Sequence, residues 1–565
     1  MRIKLIAKHI NANLAKNKIA VIDCFIIVCF ALFSLLYFLG RWKGAYPFVF
    51  LDGDTANIAS FAAAWDHPRM FHGDEVLGNP SNFRFYATIH IPIIRSLAKI
   101  TGDYGTAFIS LLMPHIFLQL LGFYLFGIVL FQSRYWAVLL TIVTSILIWL
   151  NLGEYWGIYT DVQPRFSFQA LLPYLLAATL YWGRKPSFWP WLMGMVGIFI
   201  YIHPVSAPAW IVAIWLGLLA LKPASYPFKK AIGYMLVSGA VCLAVTLPWF
   251  IHYLDNYAHG STEHYEQVYD LMKFRFSEGY LDLPLAIQKF VSIVWNKGIL
   301  PLGIMGAAIV LWLRRKNYSS VLLIGLWLGG LLLASVVIPL IDHAIARAYQ
   351  LIPVQVDLIR GIRYTVPIML LFCLWSLAEI SKKLNKSRTI VAISGILLVA
   401  LWTYQHPPTP VLEALSCWRQ GQFICMPAEY SETVAGLEAI KRLTPPGSRI
   451  LPIGATADRQ ALAIRYYALR PVVYSYKDGG ALAYANHPQF LLWYQKYKEV
   501  KAWEEEQNLE MKVKKLIELS KKMDFQYCLT TPNINSFLAP YSGKADIVYT
   551  NSLLALLKIS YSSIE

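Results

Sequence analysis

Leu51-Asp52-Gly53-Asp54-Thr55-Ala56-Asn57 follows closely on a long, mostly apolar run, residues 19–40, and that junction decides how the chain reads. The run is long enough to cross a bilayer as one helix. Arg2, Lys4, Lys8, Lys16 and Lys18 precede it with no acid among them, which places the N-terminus in the cytoplasm and the loop 41–105 outside. Asp52 and Asp54 then stand where a helix leaves the membrane. Water there is near enough to ionise them, and apolar surroundings strengthen whatever they contact. A plainer role is also open, because Asp54 could cap a helix starting near Thr55.

The 565 residues are 57% hydrophobic and 15% charged, with 19 Trp, and mean hydropathy is +0.47. Such a composition excludes an ordinary soluble globule and indicates a polytopic membrane protein. The net charge of +17 would suit nucleic acid in a soluble chain, but in a membrane protein it marks cytoplasmic loops. Further apolar spans are expected at about 106–131, 135–152, 166–183, 188–203, 205–221, 230–253, 293–313, 319–341, 363–380 and 388–404, giving about eleven helices. Alternate connections carry Arg134; Arg184 and Lys185; Lys222, Lys229 and Lys230; Arg314 and Arg315; and Lys382 and Lys383, without acids. The acids gather in the other set, which satisfies the positive-inside rule and puts the C-terminus outside.

The character changes near Tyr404. Residues 1–404 read as the membrane domain, and 405–565 as a soluble extracytoplasmic α/β domain. Its expected strands are 450–454, 472–476, 525–531 and 547–550, and its expected helices 459–469 and 493–522. Tyr474-Ser-Tyr-Lys477-Asp478-Gly-Gly480 reads most simply as a turn, with acceptor contact as the functional alternative. A Cys417–Cys425 disulfide is possible outside the cell. The Asn-x-Ser/Thr matches, at Asn317 and Asn385, fall in loops expected to be cytoplasmic, so a bacterial plasma membrane is the expected location.

Function is expected on the outer face, whose long loops hold the ionisable and aromatic residues. Within the first of them, 56–65 and 91–100 read as short amphipathic helices suited to the membrane interface. The next connection brings Glu154, Asp161 and Arg165. Oxygens from two such loops could hold Mg²⁺ or Mn²⁺, or Asp161 could simply pair with Arg165. His203 lies between two spans and is either a satisfied helix-end histidine or a substrate contact. His343 lies in a later outer loop with Arg360 and Arg363. Those two arginines share a helix face and suit a phosphate, although interfacial arginines also snorkel to water.

The inside N-terminus, the Asp-x-Asp after the first helix and the two helices in the first outer loop form a combination. With about eleven spans and an outward α/β domain, it resembles the GT-C class of integral-membrane glycosyltransferases. The resemblance implies transfer of a sugar from a polyprenyl-phosphate donor to a glycan, lipid or protein acceptor. It implies Asp54 as general base with Asp52 close behind, Glu154 or Asp161 for metal or acceptor, and Arg360 or Arg363 for the lipid phosphate. The chain lacks the WWD-type motif of oligosaccharyltransferases, and after the first helix it has Asp52-Gly-Asp54 in place of the Asp-Glu pair common in the mannosyltransferases, which counts against a protein acceptor. A lipid or polysaccharide flippase would place ionisable residues mid-helix and show internal repeats. A non-catalytic scaffold would not need acids on several loops.

Overall fold

The computed structural model describes residues 21–42, 51, 53–150, 153–159, 162–257, 264–276, 281–315, 319–354, 357–384, 389, 393–394, 409–423, 428–454 and 457–560. Asp52, Asp161, Cys425 and all of the expected span 388–404 but 389 and 393–394 lie outside these residues. Cys417 is disulfide-bonded.

Among the described residues five helices are long and apolar enough to cross a membrane: Val21–Trp42, Tyr104–Phe131, Phe228–Asn256, Ser319–Ala348 and Leu358–Lys383. A sixth is added if Leu283–Asn296 and Ile299–Leu313, bent by 73°, form one span. The other expected spans that are described fall on helices too short, too broken or not apolar enough to pass alone. Segment 135–152 is a helix only over Arg134–Ser145, then a strand. Segment 166–183 holds Pro173 inside Pro164–Trp182. Segments 188–203 and 205–221 give Trp189–Ile198 and Ala207–Leu221. At 1.5 Å per residue, a 15-residue helix such as Ala207–Leu221 reaches only about 22 Å. Apolarity was read correctly there, but helix length was not.

Two hydrophobic cores organise the chain. One is the helix bundle, from Phe123 to Ala378, with Trp136, Trp156, Trp189, Trp210, Trp327 and Trp375 buried in it. The other joins the first loop, the helix Tyr265–Phe276 and the C-terminal unit. Helix Gly53–Asp66 buries every residue from Thr55 to Ala64 except Asn57. It is therefore a central strut and not the interface helix its sequence suggested. A helix apolar nearly all round belongs in a core, and its alanines let the C-terminal segment 457–468 approach closely. Leu51 N donates to Tyr466 Oη at 2.9 Å. The other expected helix of this loop is present as His90–Thr101, with Ile91 and Ile94 buried while Ile93 and Ile100 stay exposed.

The C-terminal sheet contains β3 (Ile450–Pro452), β4 (Tyr527–Thr530), β5 (Ala545–Thr550) and β6 (Ala555–Ile559), in the order β3-β4-β6-β5. β3 and β4 are parallel, and the β6 pairings are antiparallel. The expected strand 472–476 shrinks to one parallel bridge, Val472 with Ile450. The expected helix 493–522 is two helices, His487–Glu504 and Leu509–Met523. Asp478-Gly-Gly opens the helix Asp478–Ala485, correcting the turn reading. β1 (Ile148–Trp149) and β2 (Tyr155–Trp156) form a small hairpin in the bundle. Gly157 closes it at φ +108°, where a Cβ would sit 2.1 Å from the Ile146 carbonyl oxygen, so only glycine fits.

Candidate functional site

The hairpin holds Glu154 just before β2, buried to 6% side-chain exposure and facing arginines. Arg165, in the first turn of Pro164–Trp182, donates from Nη1 to Glu154 Oε1 at 2.9 Å. Arg363, 3% exposed in the 3-10 turn Leu358–Tyr364, donates from Nη1 to Oε2 at 2.5 Å. Arg360 Nε lies 3.5 Å from Oε1 and 3.6 Å from Asp357 Oδ1. Desolvation opposes ionisation of Glu154, but the fields of Arg165, Arg363 and Arg360 overcome it and hold the carboxyl below its usual range.

Asp54 joins the same cluster from the first loop. Gly53 has φ +55°, a left-handed turn that L side chains rarely adopt, and it sets the entry of the strut helix. Asp54 Oδ2 accepts from Arg165 Nη2 at 3.2 Å, and Oδ1 accepts from Lys477 Nζ at 3.0 Å. Its side chain keeps 48% exposure. Desolvation raises its pKa, but Lys477, Arg165 and Arg360 together pull it well below the ordinary carboxylate value. One guanidinium thus bridges Asp54 to Glu154, and Glu154 touches both Arg360 and Arg363.

The network continues inward. Arg363 Nη2 donates to Ser206 Oγ (3.1 Å) and Tyr364 Oη (3.0 Å), and Tyr364 Oη donates to Ser206 Oγ (2.7 Å). His203 Nδ1 accepts from the Ser206 backbone at 3.2 Å and lies 2.7 Å from Ser206 Oγ. With two donors already on Ser206 Oγ, its own proton goes to Nδ1, which defines a neutral His203 protonated at Nε2. His203 is thus a positioning group behind Arg363. Deeper in, Ser167 Oγ contacts His90 Nε2 at 2.7 Å and also contacts His115.

Of the residues expected to act together, the structure assembles Asp54, Glu154, Arg165, His203, Arg360 and Arg363. His343 is not brought to the cluster and lies beside Leu281. Both oxygens of Glu154 face guanidiniums, a donor set that does not fit a divalent cation. Among the described residues no group of three His, Cys, Asp or Glu side chains is placed to hold a metal ion. Asp161, the second expected ligand, is outside them.

Sequence reasoning missed Lys477 as a partner of Asp54, because nothing local connects them. It also missed the clamp that brings Lys477 there. Fully buried Arg465 donates to Asp74 Oδ2 (2.8 Å) and Oδ1 (2.9 Å), and to Asp478 Oδ1 (2.5 Å) and Oδ2 (2.9 Å). Val472 N also donates to Asp74 Oδ2 at 2.9 Å. The Asp74-Glu75 pair in the first loop was the available signal. Acids inside a loop, followed later by an arginine within an apolar helix, ask for one another.

No family model and no curated protein matches the chain.

Proposed function

We propose that the chain is a membrane glycosyltransferase of GT-C type, moving a sugar from a polyprenyl-phosphate donor to an acceptor on the outer face of a bacterial plasma membrane. The observation carrying this reading is the single cluster that holds one part-exposed carboxylate, Asp54, beside four cations, Lys477, Arg165, Arg360 and Arg363. With three carboxylates among them (Asp54, Glu154 and Asp357), the cluster keeps a net positive charge and favours an anion.

In this reading the donor phosphate competes with Asp54 for Lys477 and Arg165. Losing those partners raises the Asp54 pKa and makes it a working base. Asp54 takes the acceptor hydroxyl proton as the acceptor oxygen bonds to the sugar anomeric carbon. The bond from that carbon to the phosphate oxygen breaks with its electron pair, and polyprenyl phosphate leaves into the arginine cluster. The guanidiniums supply the positive charge that a metal would otherwise provide. The eleven-span topology, with a cytoplasmic N-terminus and an extracytoplasmic C-terminal domain, belongs to the same proposal and is supported by the alternation of loop charge.

A second reading has its own support. Every carboxylate of the cluster has a cation partner within the chain, which also suits an electrostatic staple between bundle and C-terminal unit. Transfer of radiolabelled sugar from polyprenyl-phosphate donors, by the purified protein and by Asp54→Asn, separates them. Loss of transfer with unchanged thermal unfolding supports the enzyme. Full activity in the variant sinks Asp54 as base.

A further inference from the structure

Three chain segments of the C-terminal unit run parallel: β3, the bridge residue Val472, and β4. Their carboxyl ends open on one cleft of ≈ 950 Å³, to which they contribute Gly454, Tyr474 with Tyr476, and Thr530 with Thr531. In open sheets with parallel strands, ligands sit outside the carboxyl ends of the strands, and this volume is at the upper end of small-molecule pockets. The cleft does not include the Asp54 cluster, yet the two adjoin: Tyr476 lines the cleft, and the next residue, Lys477, holds Asp54.

The lining chemistry selects the ligand. Tyr476 and Tyr497 give part-exposed aromatic surface, Tyr474 and Trp503 form a nearly buried wall behind it, and Asp458 and Arg459 give a carboxylate and a guanidinium at the same mouth. Rings bind the C–H faces of a pyranose, and carboxylate, guanidinium and amide groups bind its paired hydroxyls. A phosphate is less suited. Lys501 is paired with Glu504 at 2.5 Å. Lys512 sits 4.8 Å above the Trp503 ring and donates to the Glu504 carbonyl at 3.2 Å. Both lysines are therefore already engaged by groups of the chain itself.

We propose that this cleft is a saccharide-binding site, taking an oligosaccharide of a few units. The inference does not depend on transfer chemistry at Asp54, and if both hold, the cleft is where an acceptor glycan is gripped.

The test is titration of the detergent-purified full-length protein with neutral and acidic tetrasaccharides, followed by intrinsic tyrosine and tryptophan fluorescence and by calorimetry. Saturable binding is expected, weakened about tenfold in Tyr497→Ala, the scale of losing one aromatic face. Arg459→Ala should weaken it similarly, and Tyr497→Phe should keep most of it. Thermal unfolding of each variant checks folding. No saturable binding of any tetrasaccharide at millimolar concentration overturns the proposal. So does binding indifferent to both alanine variants, or a preference for inorganic phosphate or a peptide. Asp54→Asn should bind normally, so failure of transfer and failure of this site are read separately.

Discussion

Lys477 Nζ lies 3.0 Å from Asp54 Oδ1, across 423 residues of chain. That contact brings a cation from the C-terminal unit to the carboxylate in the first turn of helix Gly53–Asp66. It makes the C-terminal unit part of the site. It also means that the ionisation of Asp54 is favoured by a C-terminal residue together with Arg165 and Arg360.

Replacing that cation should therefore be visible in pH dependence. Asp54 is held below the ordinary carboxylate range, so its stabilising pairs persist above that range and are lost only as pH falls through the lowered value. In Lys477→Met the pKa rises toward normal, and the acidic limb of the transfer rate moves to higher pH. A pH–rate profile of wild type and variant checks the direction. Asp54→Asn should lose roughly 10²-fold or more in rate at every pH, as expected for removing a general base.

Glu154→Gln should act mainly on stability. The carboxylate is shared by Arg165 and Arg363, both nearly buried, and its loss leaves charged guanidiniums facing each other. Breaking a buried pair in this way costs about 3–5 kcal/mol. Thermal unfolding in detergent should show a clear fall in midpoint. An unchanged midpoint would argue against the network as drawn.

How far this was legible follows from what each residue depends on. Arg360 and Arg363 could be singled out because an arginine at the outer end of a span is not an orientation signal. Asp54 and Glu154 stood out as acids at helix exits. Lys477 did not, since its role is set by the docking of Arg465 between Asp74 and Asp478, a contact with no local signature. Periodicity found the strands β3, β4 and most of β5 but not β6, whose Ala555-Leu-Leu-Lys-Ile559 reads equally as helix or strand. Hydropathy places Trp149 and its apolar neighbours in a span because it does not distinguish a buried hairpin from a helix end.

Chelation should leave transfer unaffected. The charge that would stabilise a leaving phosphate comes from Arg165, Arg360 and Arg363, and Glu154 is engaged by them. Equal rates with EDTA and with added Mg²⁺ or Mn²⁺ are expected. A rate that collapses on chelation and returns with one of these ions would reassign Glu154.

Docking of the C-terminal unit should tighten as pH falls. Burial, together with the fields of Asp74 and Glu75, raises the Asp478 carboxyl to about 6 despite its pairing with Arg465. A carboxyl raised in the folded state binds more protons there than in the unfolded chain. Stability therefore increases as pH drops from neutral through about 6, and levels off below the ordinary carboxylate value. Asp478→Asn should remove this dependence, because the amide stays neutral. Arg465→Met leaves Asp74 and Asp478 buried without their cation, costs about 3–5 kcal/mol, and should be partly rescued in mild acid. Unfolding midpoints of the three proteins across this pH range test the sign. A wild-type midpoint that falls from neutral pH to about 6 relative to that of Asp478→Asn would show that Asp478 stays ionised in the folded protein.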